Sequence, residues 1–115
     1  MNVIAEIVSL SGYESQVSAL LNDEERTALE FYIACAPEAH PVIPGAGGFR
    51  KARWARRDQG KSGGFRVIYF FLAEPGRIYM AAIYAKSRKE TLSAADRNVL
   101  AKLAASIKKI AKGGR

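Results

Sequence analysis

The sequence predicts an α+β domain in which helices pack on an antiparallel sheet. Two observations carry this prediction: the hydrophobic patterns follow the order β-α-α-β-β-β-α, and three strand candidates in a row are joined by short loops, which is typical of an antiparallel meander. With 115 residues, of which 49% are hydrophobic, the chain is long and apolar enough for one packed core. We therefore expect a single domain over residues 1–115.

The N-terminal part is predicted to form one strand and two helices. Residues 3–8 (VIAEIV) are short, apolar and β-branched, as strands are. Apolar residues recur at helical spacing over residues 15–21. Asn22, with Glu25 three positions later, forms a capping box that opens a second helix, and Pro37 ends it.

The C-terminal part is predicted to form three strands and a helix. The strands are residues 49–55, 65–72 and 77–85. Ser93 is positioned to cap the last helix. The apolar residues that we expect on the buried side of this helix are Val99, Leu100, Leu103, Ile107, Ile110 and Ala111.

Several classes of protein are disfavoured by composition and spacing. One Cys and one His leave no disulfide framework and make a metal centre improbable, so we predict no metal and no cofactor. Cys35 is expected to be a small core residue and His40 to have no catalytic role. Gly60-Lys61-Ser62 is no P-loop, because Ala55 stands where its first glycine belongs.

Membrane and secretory signals are also missing from the sequence. The longest apolar run is far shorter than the roughly 18–20 residues that a spanning helix needs. The N-terminus carries Glu6 instead of a basic region, so it does not match a signal peptide. We expect a soluble, cytoplasmic protein that does not bind a membrane.

Charge divides the chain into two halves. Residues 1–48 carry seven acids and one base, a balance of −6, whereas residues 49–115 carry seventeen bases and four acids, a balance of +13. A basic half of this kind is typical of proteins that bind polyanions. Basic surface that only aids solubility is the alternative, and charge alone does not separate a nucleic acid from an acidic protein.

The bases are concentrated on and beside two strands. Side chains alternate along a strand, so Lys51 and Arg53 share one face while Arg50 and Trp54 share the other. If the strands pair in sequence order, Lys51, Arg53, Arg66 and Lys86 converge on one face of the sheet. Arginine forks and lysine ammonium groups together suit phosphate binding.

Three segments of the sequence carry a distinctive pattern: residues 43–54 (IPGAGGFRKARW), 60–71 (GKSGGFRVIYFF) and 83–86 (IYAK). The pattern resembles the RelE/HigB family of toxins from bacterial type II toxin–antitoxin modules, the HigB-like branch in particular. The resemblance implies a twisted antiparallel sheet with two N-terminal helices and a C-terminal helix. It also implies ribosome-dependent cleavage of mRNA in the A site, with the 70S ribosome, mRNA and a cognate antitoxin as partners. One departure is Ser93, which stands nearest to a tyrosine of the RelE pattern and puts the general base in doubt.

The expected reaction is metal-independent attack of a ribose 2′-OH on the adjacent phosphate. The family pattern places strand cations at Lys51, Arg53, Arg66 and Lys86, which we take as the catalytic set. Arg66, assisted by Arg53, would stabilise the charge of the transition state, and Lys51 or Lys86 would transfer protons. The residues that we expect to bind RNA or the ribosome are Arg50, Arg56, Arg57, Lys61 and Trp54.

Two other functions stay open from the sequence. Some relatives in the wider superfamily poison DNA gyrase, so a protein-binding poison without catalysis is one alternative. A plain RNA-binding module is the other. For the aromatic residues Phe49, Trp54 and Tyr84, a place in the core competes with a role in stacking RNA bases.

Overall fold

The computed structural model describes residues 5–55, 64–87 and 91–113. Along the chain it has β1 (Glu6–Ser9), α1 (Ser11–Leu20), α2 (Asp23–Cys35), β2 (Arg50–Trp54), β3 (Phe65–Leu72), β4 (Arg77–Ala85) and α3 (Ala94–Gly113). This confirms the predicted α+β class and the predicted order of elements. No helix in these ranges is long and apolar enough to cross a membrane.

The four strands form one sheet in the order β1-β4-β3-β2. The pairs β2–β3 and β3–β4 are antiparallel, as the short loops predicted. β1 instead pairs in parallel with β4, from Glu6 beside Arg77 to Ser9 beside Met80, so the sheet is mixed and not wholly antiparallel. Parallel pairing is possible here because two helices and two strands lie between β1 and β4 and provide the long crossover that it requires.

Helix boundaries follow from local capping. At the start of α2, the N–H of Glu25 donates to Asn22 Oδ1 and the N–H of Asn22 donates to Glu25 Oε1, which is the predicted capping box. Ser93 and Asp96 exchange the same two bonds before α3. α1 begins at Ser11, earlier than the apolar spacing over residues 15–21 indicated.

Two hydrophobic cores lie on opposite sides of the sheet. On one side α1 and α2 cover residues that include Ala52, Val67 and Met80. On the other side α3 and the loop before β2 cover Ile68 and Phe70. We call these sides the α1/α2 face and the α3 face. Because both faces are covered, β3 is buried from Phe65 to Phe70.

Three residues expected in the core are exposed instead. Cys35 is the last residue of α2 and is exposed, since the core-facing side of this helix runs through Leu29 and Ile33. Val99 and Ile110 on α3 are 65% and 72% exposed. α3 contacts the sheet through Ala104 and Ile107, so its buried side is narrower than the apolar spacing suggested.

Glycine 47 lets the loop before β2 approach α3. Its φ is +71°, in the left-handed region that favours glycine, and an added Cβ would lie 2.9 Å from the Cα of Ala101. Lys108 of α3 also approaches this loop, with its Nζ 3.5 Å from the carbonyl oxygen of Gly47. α3 is thereby held close to the loop before β2.

Candidate active site

Strand pairing places cations side by side on the α3 face. Arg53 of β2 lies directly opposite Arg66 of β3, and Arg66 lies directly opposite Tyr84 of β4. Lys51 precedes Arg53 by two residues and therefore shares its face. We call Lys51, Arg53 and Arg66 the cationic cluster. Pairing in sequence order, on which the predicted convergence depended, is present for these strands.

The fourth predicted catalytic residue, Lys86, lies at the end of β4 beside this cluster. Its backbone N–H donates to the carbonyl oxygen of Gly64 at 3.1 Å, which continues the β3–β4 pairing one step beyond the strand. Alternation along β4 puts Lys86 on the same side as Tyr84. The Lys86 side chain is half-buried.

Arg66 is the unusual member of the cluster. It is 6% exposed and is the only buried charged residue in the described ranges, within a strand that is otherwise apolar and aromatic. Its side chain has no hydrogen bond or ion pair with any other described residue. Burial of a cation without an acid is costly, and like charges directly opposite each other on adjacent strands repel. The Arg53–Arg66 pair is therefore a site at which a bound anion would relieve an unfavourable charge arrangement.

The surroundings of Arg66 explain why it lies at this position. Phe65 and Val67, its neighbours along the strand, point to the α1/α2 face and belong to that core. The hydroxyl oxygen of Tyr84 is buried on the α3 face. The backbone of β3 is thus fixed by packing on both sides, which sets where the Arg66 side chain leaves the strand and keeps it among buried neighbours on the α3 face.

The predicted RNA-binding residues are not gathered at this cluster. Arg50 lies on the opposite face of β2, where Nη1 donates to the carbonyl oxygens of Glu38 at 3.2 Å and His40 at 2.8 Å. Trp54 also lies on that face and packs against the α1/α2 core. The other three predicted residues, Arg56, Arg57 and Lys61, are outside the described residues.

Phe49 and His40 both pack against aromatic rings. Phe49 is fully buried under α3, 5.3 Å between ring centroids from Phe70, so it is a core residue. His40 lies between the rings of Tyr32 and Tyr69, at centroid distances of 5.2 and 6.1 Å. Burial, with a smaller contribution from the nearby Arg50 charge, lowers the pKa of His40. His40 is on the side of the sheet away from the cationic cluster.

Sequence reasoning missed two residues of the α3 face. The sequence indicates only a core or stacking role for Tyr84, although the pairing that places Arg53 opposite Arg66 also places Tyr84 opposite Arg66 on its other side. Arg97 of α3 lines a cleft together with Lys51. The sequence places Arg97 on a basic face of the last helix that we expect to meet ribosomal RNA, but its position beside Lys51 was not predictable, because it depends on how α3 packs against the loop before β2.

Metal-binding chemistry has no obvious location in the described ranges. They contain no group of three or more His, Cys, Asp and Glu side chains that could hold a metal ion. On this face the strands carry arginine and lysine side chains, and the start of α3 places Asp96 on the same side, in a shared lining with Tyr84.

Comparisons with known proteins agree with this architecture. A protein-family model described as the RelE toxin of the RelE/RelB toxin–antitoxin system matches residues 45–113, more than half of the chain, and this segment contains the cationic cluster. Among solved structures, the chain is similar to a mutant of the E. coli toxin RelE in the free state, with a TM-score of 0.56 and 14% sequence identity. The match covers 76% of this chain and 90% of the E. coli chain, and at this identity it shows the shared fold alone.

Proposed function

Because the chain belongs to the RelE toxin family of toxin–antitoxin systems, we propose that it is a ribosome-dependent endoribonuclease that cleaves mRNA in the ribosomal A site. The observation that carries the proposal is the Arg53–Arg66 pair, two cations held directly opposite each other with one of them buried. This arrangement favours an anionic ligand, and the RNA backbone supplies one phosphate per nucleotide.

The proposed reaction is an internal transesterification of the RNA. The 2′-oxygen of one ribose attacks the adjacent phosphorus, the bond from phosphorus to the 5′-oxygen breaks, and the products are a 2′,3′-cyclic phosphate and a 5′-OH. One proton leaves the 2′-OH and one is given to the departing 5′-oxygen. The cluster's main task is to stabilise the extra negative charge of the pentacovalent phosphorus, which we assign to Arg66 with Arg53 beside it.

Proton transfer is assigned to lysine. Arginine stays protonated in proteins and cannot act as the base. His40 lies on the other side of the sheet. The candidates are therefore Lys51 within the cluster and Lys86 beside it. Orientation of the mRNA by the ribosome would supply a further part of the rate enhancement, because a correctly positioned 2′-OH needs less activation.

Membership of the RelE family implies an antitoxin partner. We propose that the cognate antitoxin neutralises this toxin and that the reaction needs no metal and takes place in the cytoplasm, where ribosomes translate. The HigB-like branch is the part of the family to which we assign the chain, on the motifs of residues 43–54 and 60–71.

The test is cleavage of mRNA on purified 70S ribosomes programmed with a known A-site codon. The purified protein is added, the RNA ends are mapped, and naked mRNA serves as the substrate control. Arg66→Ala and Lys51→Ala are compared with Arg77→Ala, which removes an arginine at the far end of β4 that pairs with Glu6. We expect cleavage inside the A-site codon only with ribosomes, a rate lower by about 10²–10³ for Arg66→Ala, and no change for Arg77→Ala.

A chelator selective for transition metals, which leaves the Mg²⁺ of the ribosomes in place, is added in a parallel reaction, and the rate is expected to stay the same. Intact mRNA from a folded protein that is toxic to cells would contradict the nuclease proposal. DNA gyrase supercoiling assays would then test the protein-binding poison, and harmless expression with RNA affinity would indicate a binding module.

A further inference from the structure

A cleft of about 430 Å³ lies at the β2 edge of the sheet, next to the cationic cluster. Its described lining consists of residues from three places: the loop before β2, β2 itself, and the start of α3 with the two residues of the segment before it. They are Ile43, Pro44, Gly45, Lys51, Thr91, Leu92 and Arg97. None of these residues is acidic, and two of them are cations.

Arg97 is held at the cleft by its own helix start. Its Nη1 donates to the carbonyl oxygen of Leu92 at 2.7 Å, and no other hydrogen bond or ion pair joins its side chain to a described residue. One donor of the fork therefore fixes the guanidinium while the remaining donors are available to a ligand. The neighbouring acid, Asp96, accepts from the backbone N–H of Ser93 in the α3 cap.

Gly45 lies opposite Arg97 across the cleft and has no side chain to fill the space between them. Its φ is +77°, which favours glycine, and an added Cβ would lie 3.7 Å from Nε of Arg97. The wall at this point is therefore bare backbone facing a guanidinium. A phosphate group could approach the backbone and Arg97 together.

We infer that Lys51 and Arg97 bind an mRNA phosphate one nucleotide away from the scissile one, and so position the RNA across the cationic cluster. The cleft offers the guanidinium of Arg97, the ammonium group of Lys51 and the hydroxyl group of Thr91, and no acid is among its described lining residues. Groups of this kind are suited to binding a phosphodiester. The inference rests on the proposed nuclease function for the identity of the ligand, but the cleft itself is defined by geometry alone.

Strand geometry supports the spacing. Lys51 and Arg53 are two residues apart on one face of β2, a separation of about 6.6 Å along the strand. That is similar to the distance between successive phosphates in an extended RNA chain. A strand of RNA that places one phosphate at Arg53 and Arg66 would thus bring the next one to Lys51 and Arg97. This role for Lys51 leaves Lys86 as the residue for proton transfer.

The first experiment measures RNA binding to the cleft in the absence of the ribosome. A 2′-O-methyl trinucleotide, which cannot be cleaved, is titrated into ¹⁵N-labelled protein while the signals of the Gly45 N–H and the Arg97 Nε–H are followed. Arg97→Ala is compared with Lys102→Ala, which removes the same charge from an exposed position of α3 outside the cleft. We expect both signals to shift, affinity to fall about tenfold for Arg97→Ala, and a change below about twofold for Lys102→Ala.

Salt dependence separates binding from a structural role. Loss of one phosphate contact makes the slope of log K against log salt shallower by about 0.7 for single-stranded RNA, which a merely structural role of Arg97 would not do. Arg97→Lys retains the charge and is expected to keep the slope with intermediate affinity. It also serves as the folded variant if Arg97→Ala does not fold. Unshifted Gly45 and Arg97 signals, or an unchanged slope for Arg97→Ala, would overturn the inference.

The second experiment repeats the variants in the ribosome assay. We expect Arg97→Ala to raise the apparent KM for programmed ribosomes about tenfold, with a smaller effect on kcat. If the wild type cleaves and Arg97→Ala behaves like Lys102→Ala, the cleft inference fails and the nuclease function stands. If the wild type does not cleave but the trinucleotide shifts the cleft signals, the cleft is an RNA phosphate site and the proposed reaction fails.

Discussion

Each face of the sheet has a buried or half-buried arginine, but the two arginines differ in their partners. On the α1/α2 face, Arg26 binds both carboxylate oxygens of Glu14, at 2.8 and 2.9 Å, and also Glu30 and the Ser9 hydroxyl. Glu30 in turn accepts from the hydroxyl of Tyr13, a fully buried residue. On the α3 face, Arg66 is more deeply buried than Arg26 but faces another arginine, Arg53.

The difference supports the proposal that the α1/α2 face serves stability and the α3 face serves function. The Arg26 network joins β1, α1 and α2, so its hydrogen bonds are satisfied within the folded protein and hold these elements together. Among the described residues, no hydrogen bond or ion pair from an acid relieves the charge contacts of the cationic cluster, so a bound anion would stabilise it. Proteins retain such arrangements where a ligand binds.

The largest expected effect is on activity at the cationic cluster. Arg66→Met keeps a long apolar stem in β3 and removes the charge. We expect the cleavage rate to fall by about 10²–10³. The free energy of unfolding should stay the same or rise by about 1 kcal/mol, because a buried cation that faces another cation is replaced by an apolar group. Urea unfolding and the ribosome assay measure the two quantities on the same preparation.

A decrease of several kcal/mol in the stability of Arg66→Met would contradict the comparison. It would mean that Arg66 is as well satisfied inside the fold as Arg26, and that the cluster is a structural feature.

The same substitution on both faces sharpens the contrast. Arg26→Ala leaves Glu30 and Tyr13 without their cation, so we expect the free energy of unfolding to fall by about 1–3 kcal/mol, less than for a fully buried pair because the Arg26 side chain is 25% exposed. Cleavage by the folded protein should not change. Arg53→Ala is expected to do the reverse, with lost cleavage and unchanged or higher stability. Equal stability losses in both variants would remove the distinction between the faces.

Acid should weaken the α1/α2 face in a defined pH range. Hydrogen bonds from Arg26 hold the pKa of Glu14 below its ordinary value of 4.5. A lowered native pKa stabilises the fold above the unfolded pKa, and this contribution is lost as the pH falls through the native pKa. The difference in the free energy of unfolding between the wild type and Glu14→Gln should thus be constant above about pH 5 and should disappear as the pH falls below about 4.5.

Urea midpoints measured between pH 3 and pH 7 test this expectation. Glu24→Gln is the control, since the exposed Glu24 side chain on α2 contacts no partner among the described residues. A Glu14→Gln gap that persists unchanged at the lowest pH would show that Arg26 does not act through the Glu14 carboxylate.

Much of the fold could be predicted because its signals are local. The capping boxes at Asn22 and Ser93 and the apolar runs of β3 and β4 fix elements within a few residues of themselves. The parallel pairing of β1 could not be predicted, since Glu6 meets Arg77 across 71 positions and nothing near either residue specifies the direction. The exposure of Val99 likewise depends on how much of α3 the sheet covers.

The candidate site divides in the same way. Convergence of Lys51, Arg53 and Arg66 follows from alternation and from pairing between strands that are neighbours in the sequence, so it was predictable. The contribution of Arg97 was not, because it depends on a helix and a loop that meet only in three dimensions. The burial of Arg66 was not predictable either, because it depends on how the helices on both sides of the sheet cover β3.

The smallest expected effect is at the exposed edge of β1. Nε of Arg77 lies 3.1 Å from Oε1 of Glu6, an ion pair whose side chains are 41% and 66% exposed. Because water and salt screen such a pair and two flexible side chains must be ordered to form it, Arg77→Ala should have an unfolding midpoint close to that of the wild type, at both low and high salt. Cleavage should be unchanged, because Arg77 lies at the end of β4 opposite to the cluster. A loss of stability as large as that of Arg26→Ala would show that an arginine does not need a half-buried network to stabilise this fold, and the contrast between the faces would then rest on the cationic cluster alone.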